Sequence, residues 1–288
     1  MTPAITDSPF RFRKGTVPIL VSIPHLGREI PDDVLGELYP YASEVPDTDW
    51  HLDRIYAFAE EIGASLLTAR YSRYVVDLNR PASGESLYPG QITTGLFPTE
   101  TFRGQPLYRN GVGPDKETAT RRLNAYWKPY HAKLERELAN LKAEFGSVLL
   151  WEGHSIASEL PRLFDGKLPD LNLGTNSGKS CDQDVLQAVI ATLSDQPYSW
   201  VANGRFKGGY ITRNYGNPAK GIHAIQLEMC QSTYMNELPP FNYQEKLAGG
   251  VKPVVERMVR TAMTAIQKIK GSDSRGTADK SKGKTPVS

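Results

Sequence analysis

Apolar residues in this chain fall into two rhythms. In "VPILVSIPHLG", Ile19, Leu20, Val21 and Ile23 form a run with little alternation, the pattern of a strand buried on both faces of a covered sheet. Pro24 withdraws a ladder donor and Gly27 relaxes the backbone, so the strand should stop with His25 at its carboxyl edge. "SVLLWEGHS" repeats the pattern, with Val148, Leu149, Leu150 and Trp151 running into His154 beside a glycine. "GIHAIQLEMC" predicts a further strand, in which Glu228 sits among Ile225, Leu227 and Met229. "SLLTARYSRYVVDLNRP" reads as one or two strands running into Pro81.

Elsewhere the spacing turns helical. "DTDWHLDRIYAFAEEIG" puts Trp50, Ile55, Phe58, Ala59 and Ile62 on one side of an amphipathic helix, with Asp49 near its start and Gly63 near its end. A longer helix is predicted over "DKETATRRLNAYWKPYHAKLERELANLKAEFG", kinked at Pro129 and closed by Gly146. Two more are predicted, around Gln183 to Leu193 and from Tyr243 to Lys268. Between these elements lie a Gly, Pro and Thr-rich loop from Ala82 to Pro114, a Gly, Pro and Asn-rich stretch through "LPRLFDGKLPDLNLGTNSGKSC", and the basic, Gly-rich "GRFKGGYITRNYG". Strands alternating with helices predict an α/β fold, without internal repeats.

Length and composition then narrow the setting. A chain of 288 residues can bury one large core, so a single domain over residues 1–270 is expected, with the polar, aromatic-free tail 271–288 disordered. The net charge of +2, from 34 basic and 32 acidic residues, gives no reason to expect nucleic acid or an anionic membrane as partner. No stretch approaches the roughly 18 uninterrupted apolar residues of a membrane helix. The N-terminus has no apolar signal core, and Cys181 and Cys230 have no metal-type spacing, so a cytoplasmic protein is expected.

Two histidines at two strand ends, with a carboxylate, are what a catalytic zinc site asks for: three protein ligands and one open position. His25 and His154 supply the nitrogens. Three carboxylates compete for the remaining place, in the order Asp49, Glu29, Glu152. Asp49 could reach back over the sheet edge from the helix that follows the first strand. Glu29 is four residues from His25, a helical spacing in a stretch whose prolines oppose a helix. Glu152 shares a strand face with His154. An ionised glutamate among apolar strand residues is costly unless it is paired or functional, so Glu228 is the candidate proton shuttle. His51, His131 and His223 are expected to be surface, packing or structural groups. No G-x-S-x-G elbow suggests a serine hydrolase.

Long stretches, among them "SIPHLG", "DTDWHLDR", "YSRYVVDLNRP", "TTGLFPTETFRGQPLYRNG" and "NGRFKGGYITRNYGNPAKGIHAIQLEMCQSTYM", resemble the N-formylglutamate amidohydrolase family over about Pro18 to Glu237. The resemblance implies hydrolysis of N-formyl-L-glutamate to L-glutamate and formate, the last step of a histidine degradation route. It also implies a three-layer α/β/α domain with a mixed, largely parallel sheet, similar to the zinc carboxypeptidases. On that pattern zinc, or another divalent metal, is held by two histidines and a carboxylate, and a late glutamate, here Glu228, is the base. An Asn-Arg pair, here Asn79 and Arg80, binds a substrate carboxylate. The carboxypeptidase glutamate three residues after the first histidine is replaced here by Arg28, which favours Asp49 as third ligand. A dicarboxylate substrate then gives the basic residues a purpose, with Arg73 and Arg213 next after Arg80, and Lys207 or Arg205 able to close over the ligand. A monomer or small homo-oligomer is expected. A zinc deacylase for another N-acyl amino acid, or a non-catalytic binding homologue, are the competing readings.

Overall fold

The computed structural model describes residues 8–87, 90 and 93–276. In chain order its strands are β1 (Phe10–Arg13), β2 (Ile19–Ile23), β3 (Ser65–Ala69), β4 (Val148–Ile156), β5 (Leu171–Gly174), β6 (Trp200–Ala202) and β7 (Ile222–Cys230). The helices are α1 (Asp32–Leu35), α2 (Leu52–Ile55), α3 (Phe58–Glu61), α4 (Lys116–Arg122), α5 (Lys128–Phe145), α6 (Gln183–Ala191), α7 (Tyr210–Tyr215) and α8 (Glu245–Gly276). The strands form one sheet in the order β1-β3-β2-β4-β7-β5-β6. Its centre, β3-β2-β4-β7, is parallel; β1 and β5 join antiparallel to their inner neighbours, and β6 is parallel to β5. The α/β architecture with a mixed, largely parallel sheet is therefore as expected.

Successive strand residues face opposite ways, and the two faces meet different helices. Ile19, Val21, Leu149, Trp151, Ile225 and Leu227 pack under α2, α3, α6 and α8. Leu20, Val148, Leu150 and Ala224 pack instead on α5, through Tyr130, Leu134, Leu138 and Leu141. That second face changes character along the strands. β4 goes from Val148 and Leu150 to Glu152 and His154, β7 from Ala224 to Gln226 and Glu228, and β2 from Leu20 to Ser22, all buried. The lower half of this face packs; the upper half gathers polar groups at the carboxyl ends.

Strand order explains where those ends open. From β2 the chain moves to β3 on one side, then returns to β4 on the other. Such a reversal leaves a crevice beyond the carboxyl ends of the two strands, the usual ligand position in open α/β sheets. His25 follows β2 and His154 lies near the end of β4.

Local structure departs from the sequence pattern in four places. The helix predicted from Asp49 to Gly63 starts only at Leu52, because Asp49 N–H bonds back to the His25 carbonyl (3.0 Å) and His51 turns left-handed (φ 61°), and it splits into single-turn α2 and α3 at Tyr56 (φ −91°, ψ 16°). The strand predicted through Tyr71 to Pro81 is a loop beyond Ala69. Ser72 and Asp77 accept hydrogen bonds from the backbone of Tyr74 and Asn79 (3.2 and 2.8 Å), which competes with a ladder. The helix runs on from α4 into α5 through a π-helical turn, Leu123–Trp127, immediately before Pro129, so the ladder widens where the proline lacks its N–H; Gly146 (φ 80°) ends α5. Finally, α8 runs to Gly276, past the start of the polar tail at Gly271; residues 277–288 lie outside the described residues.

His131, on α5, is buried: its ring stacks on Trp127 (centroids 3.7 Å apart), with Nε2 2.9 Å from the Leu78 carbonyl. Burial pushes its pKa down to about 4. A histidine kept neutral in the fold but free to ionise near 6.5 when unfolded stabilises fully above 6.5, and that contribution is lost as pH falls towards 4. Thermal unfolding of the parent against His131→Gln should therefore converge with the parent's acid side: between pH 6.5 and 4 the parent loses up to about 3 kcal/mol that the variant does not. Parallel pH profiles would show that His131 is not the group responsible.

Candidate active site

The crevice gathers residues from distant parts of the chain. His25, Asp49 and His154 are buried and offer ligand atoms that all lie within 4.8 Å of one another. Asp49 Oδ2 is 3.0 Å from His154 Nδ1 and 3.8 Å from His25 Nδ1, and the two imidazole rings sit 4.9 Å apart. The His25–Asp49 backbone bond that broke the predicted helix is what turns this aspartate towards the histidines.

Both rings present Nδ1 inward and are held from behind at Nε2. Asp77 Oδ1 is 2.7 Å from His25 Nε2, and Asp77 Oδ2 takes a 2.6 Å bond from Arg73. Glu152 Oε1 is 3.3 Å from His154 Nε2, while Thr212 donates to its other oxygen at 2.8 Å. Asn79 Nδ2 also approaches His154 Nε2 (3.0 Å), and Asn79 Oδ1 accepts from Ile211 N–H (2.9 Å). Gly209 lies so close to this amide that a Cβ there would sit 2.2 Å from Asn79 Nδ2, so only glycine fits.

Glu228 faces His154 directly across the β4–β7 register. Gln226, two residues earlier, donates to Glu228 at 3.4 Å and accepts from Gly209 N–H at 2.7 Å. The electrostatics are uneven. Burial, assisted by Asp49 and Glu152 and opposed by His154 and Arg73, pushes the Glu228 carboxyl up to about 8. Burial alone would lower His154, but bonds to Asp49 and Glu152 raise it well above the ordinary histidine value. Burial opposes ionisation of Asp77 too, yet Arg73 and His25 hold it well below the usual carboxylate range.

These groups are a fit for a divalent metal. Two imidazoles and a carboxylate are the donor set of a catalytic zinc centre, and a carboxylate behind each imidazole is the arrangement that orients such ligands. Glu152 Oε1, 3.3 Å behind His154 Nε2, is buried without a hydrogen-bond partner, a site that still calls for positive charge.

The same cavity is lined by Arg73, Asn79, Arg80 and Arg205, with Phe102, Phe164 and Phe206 as apolar wall. Arg80 is anchored to Thr94 through its carbonyl (2.7 Å) and hydroxyl (3.0 Å). Arg205 is anchored to the Leu163 carbonyl (2.7 Å).

Not every candidate is brought here. Glu29 pairs with Arg70 (2.7 Å) and is half-exposed, away from the histidines. Glu152 backs His154 at Nε2 and so takes a supporting place. Lys207 is exposed and Arg213 bonds the Gly208 carbonyl (2.7 Å) along α7; neither lines the cavity. Conversely, Asp77, Gln226 and the three phenylalanines escaped the sequence reading. Asp77 left a trace in "VVDLNR", an ionisable residue directly after two apolar β-branched ones. The phenylalanines come from separate loops and left none.

A family model described as N-formylglutamate amidohydrolase matches residues 17–235 of the chain. A Pseudomonas putida protein named N-formylglutamate deformylase is 49% identical over 260 residues, covering 89% of this chain and 96% of that one. A Pseudomonas aeruginosa protein of the same name is 50% identical, with 89% and 97% covered. The crystal structure of N-formylglutamate amidohydrolase from Ralstonia eutropha JMP134 superposes with a TM-score of 0.73 at 23% identity, over 94% of this chain and 100% of that chain, a likeness of fold.

Proposed function

The chain belongs to the N-formylglutamate amidohydrolase family, and from that premise we propose that it hydrolyses the amide C–N bond of N-formyl-L-glutamate to give L-glutamate and formate. The observation that carries the reading is the convergence of His25, Asp49, His154 and Glu228 in one cavity flanked by arginines.

His25, Asp49 and His154 would hold zinc or a similar divalent ion, which when bound polarises the formyl carbonyl and makes water more acidic. Asp77 fixes the His25 ring by taking its Nε2 proton, while Asn79 Nδ2 and Glu152 stand behind His154 Nε2. Glu228 takes a proton from the attacking water as the new C–O bond forms, and delivers it to the glutamate nitrogen as the C–N bond breaks. Its raised pKa suits this exchange, because a carboxyl titrating near neutrality can both accept and return a proton. Arg80 and Arg205 recognise the substrate's carboxylates, and buried Arg73, one of whose donors (Nε) has no partner, stands beside them. The phenylalanines give the cavity an apolar wall against which the substrate's methylene chain can pack.

Formate release from N-formylglutamate by protein stripped of metal and then reloaded with zinc tests the reading. Turnover should appear with zinc and be much weaker on N-acetylglutamate. Metal-loaded protein that releases no formate, or prefers the acetyl compound, would overturn it. Arg80→Lys keeps the charge and loses the fork, so KM should rise about tenfold or more with zinc content unchanged. An unaltered KM would remove Arg80 from substrate binding.

A further inference from the structure

On the other side of the loops that carry His25 and Asp49 lies a second cleft of about 440 Å³, within the size range of small-ligand pockets. Its wall carries Arg11 and Arg13 from β1, Arg28 from the loop after β2, and Arg54 and Arg70, against only Glu29 and Asp53. Two of the five arginines are already engaged: Arg70 with Glu29 (2.7 Å), and Arg54 with Glu245 and, at 3.6 Å, the Tyr243 ring. Among the described residues no carboxylate pairs with Arg11, Arg13 or Arg28; Arg28 lies 5.4 Å from the centre of the Trp50 ring. Two donors in the same wall, Arg13 Nη2 and Trp50 Nε1, are buried without a hydrogen-bond partner.

Exposed Arg11 and Arg28 and half-buried Arg13 line one cleft, where like charges repel one another, and the buried donors Arg13 Nη2 and Trp50 Nε1 cost free energy without acceptors. An anion with several oxygens answers both demands at once, and arginine forks match carboxylate, phosphate or sulfonate oxygens in pairs. We infer that this cleft is a second ligand site, for a small molecule carrying two or more anionic groups, held by Arg11, Arg13 and Arg28 and separate from the catalytic cavity. The shared chemistry is a di- or polyanion; a phosphorylated metabolite and a polycarboxylate both satisfy it. Leu26 and Thr48 of its wall are chain neighbours of His25 and Asp49, so the two sites share loops without sharing a cavity.

Isothermal titration of the zinc-loaded full chain with ethane-1,2-disulfonate, which does not sequester zinc, tests this, the slow Glu228→Gln protein being used wherever N-formylglutamate is added so that it is not consumed. The controls are chloride at matched ionic strength and formate as a monoanion. Saturable binding is expected, unaffected by N-formylglutamate, and weakened at least tenfold in both Arg11→Gln/Arg13→Gln and Arg28→Gln. The second variant leaves β1 untouched, so a folding defect in the first does not decide the matter. No saturable binding, binding unchanged in both variants, or competition by N-formylglutamate would each overturn the site, the last two by placing the anion elsewhere. Succinate and glycerol 2-phosphate then separate the two chemical sources by affinity. Binding is read without turnover, so a failure here leaves the catalytic reading untouched, and the reverse also holds.

Discussion

Glu228→Gln should lower kcat for formate release by about a hundredfold to ten-thousandfold, with zinc content and fold retained. The amide keeps the shape of the carboxylate and can still be held by Gln226, but it cannot accept a proton. A structural carboxylate in the same place would behave differently, because Gln would satisfy it and turnover would stay within a few fold. Metal-free protein gives a second readout. A carboxyl raised to about 8 in the fold but titrating near 4.5 when unfolded favours the folded state by proton uptake; that advantage is lost as pH rises from about 4.5 to 8. The parent should thus lose stability across this window relative to Glu228→Gln, by a few kcal/mol for a shift of this order. Coincident melting curves throughout would show that Glu228 is not the raised group.

His154→Ala and Asp49→Ala should bring bound zinc to a trace and reduce formate release on the order of a thousandfold, the scale of several kcal/mol of lost charge stabilisation. Asp77→Asn separates holding a ligand from being one. It keeps all three donor atoms and weakens only the support of the His25 ring, so zinc affinity should drop by about ten- to a hundredfold and excess zinc should restore most turnover. Stoichiometric zinc in His154→Ala would place the metal elsewhere. Failure of excess zinc to rescue Asp77→Asn would give Asp77 more than an orienting part.

Much of the fold could be read along the chain because buried parallel strands write themselves as apolar runs: β2 and the first half of β4 did so, each leading to a histidine of the cavity, while β7 sets Gln226 and Glu228 between apolar residues. His25, His154 and Glu228 were visible as the polar exceptions in those runs. Asp49 was harder, since the turn that aims it depends on a backbone bond to His25, and helical spacing in the residues after it suggested a longer helix. Asp77 and Asn79 sit in a loop that local side-chain bonds hold out of the sheet, where β-propensity pointed to a strand. Lys207 and Arg213 show the limit of reading charge near glycine. Composition announced a basic loop, but only Arg205 of that group turns into the cavity.

His154 and Glu228 face each other because β4 and β7 pair over nine consecutive positions, from Val148 with Ile222 to Ile156 with Cys230. A slip of one residue in β4 would turn its whole set of side chains to the opposite face, sending Leu149 and Trp151 towards α5 and His154 towards α8, away from Glu228. Packing thereby proofreads chemistry. A misaligned sheet would strand apolar side chains as well as disarm the enzyme, so a compact form that is well folded yet catalytically mispaired has no place to settle. During refolding, the return of formate release should not precede closure of the central sheet.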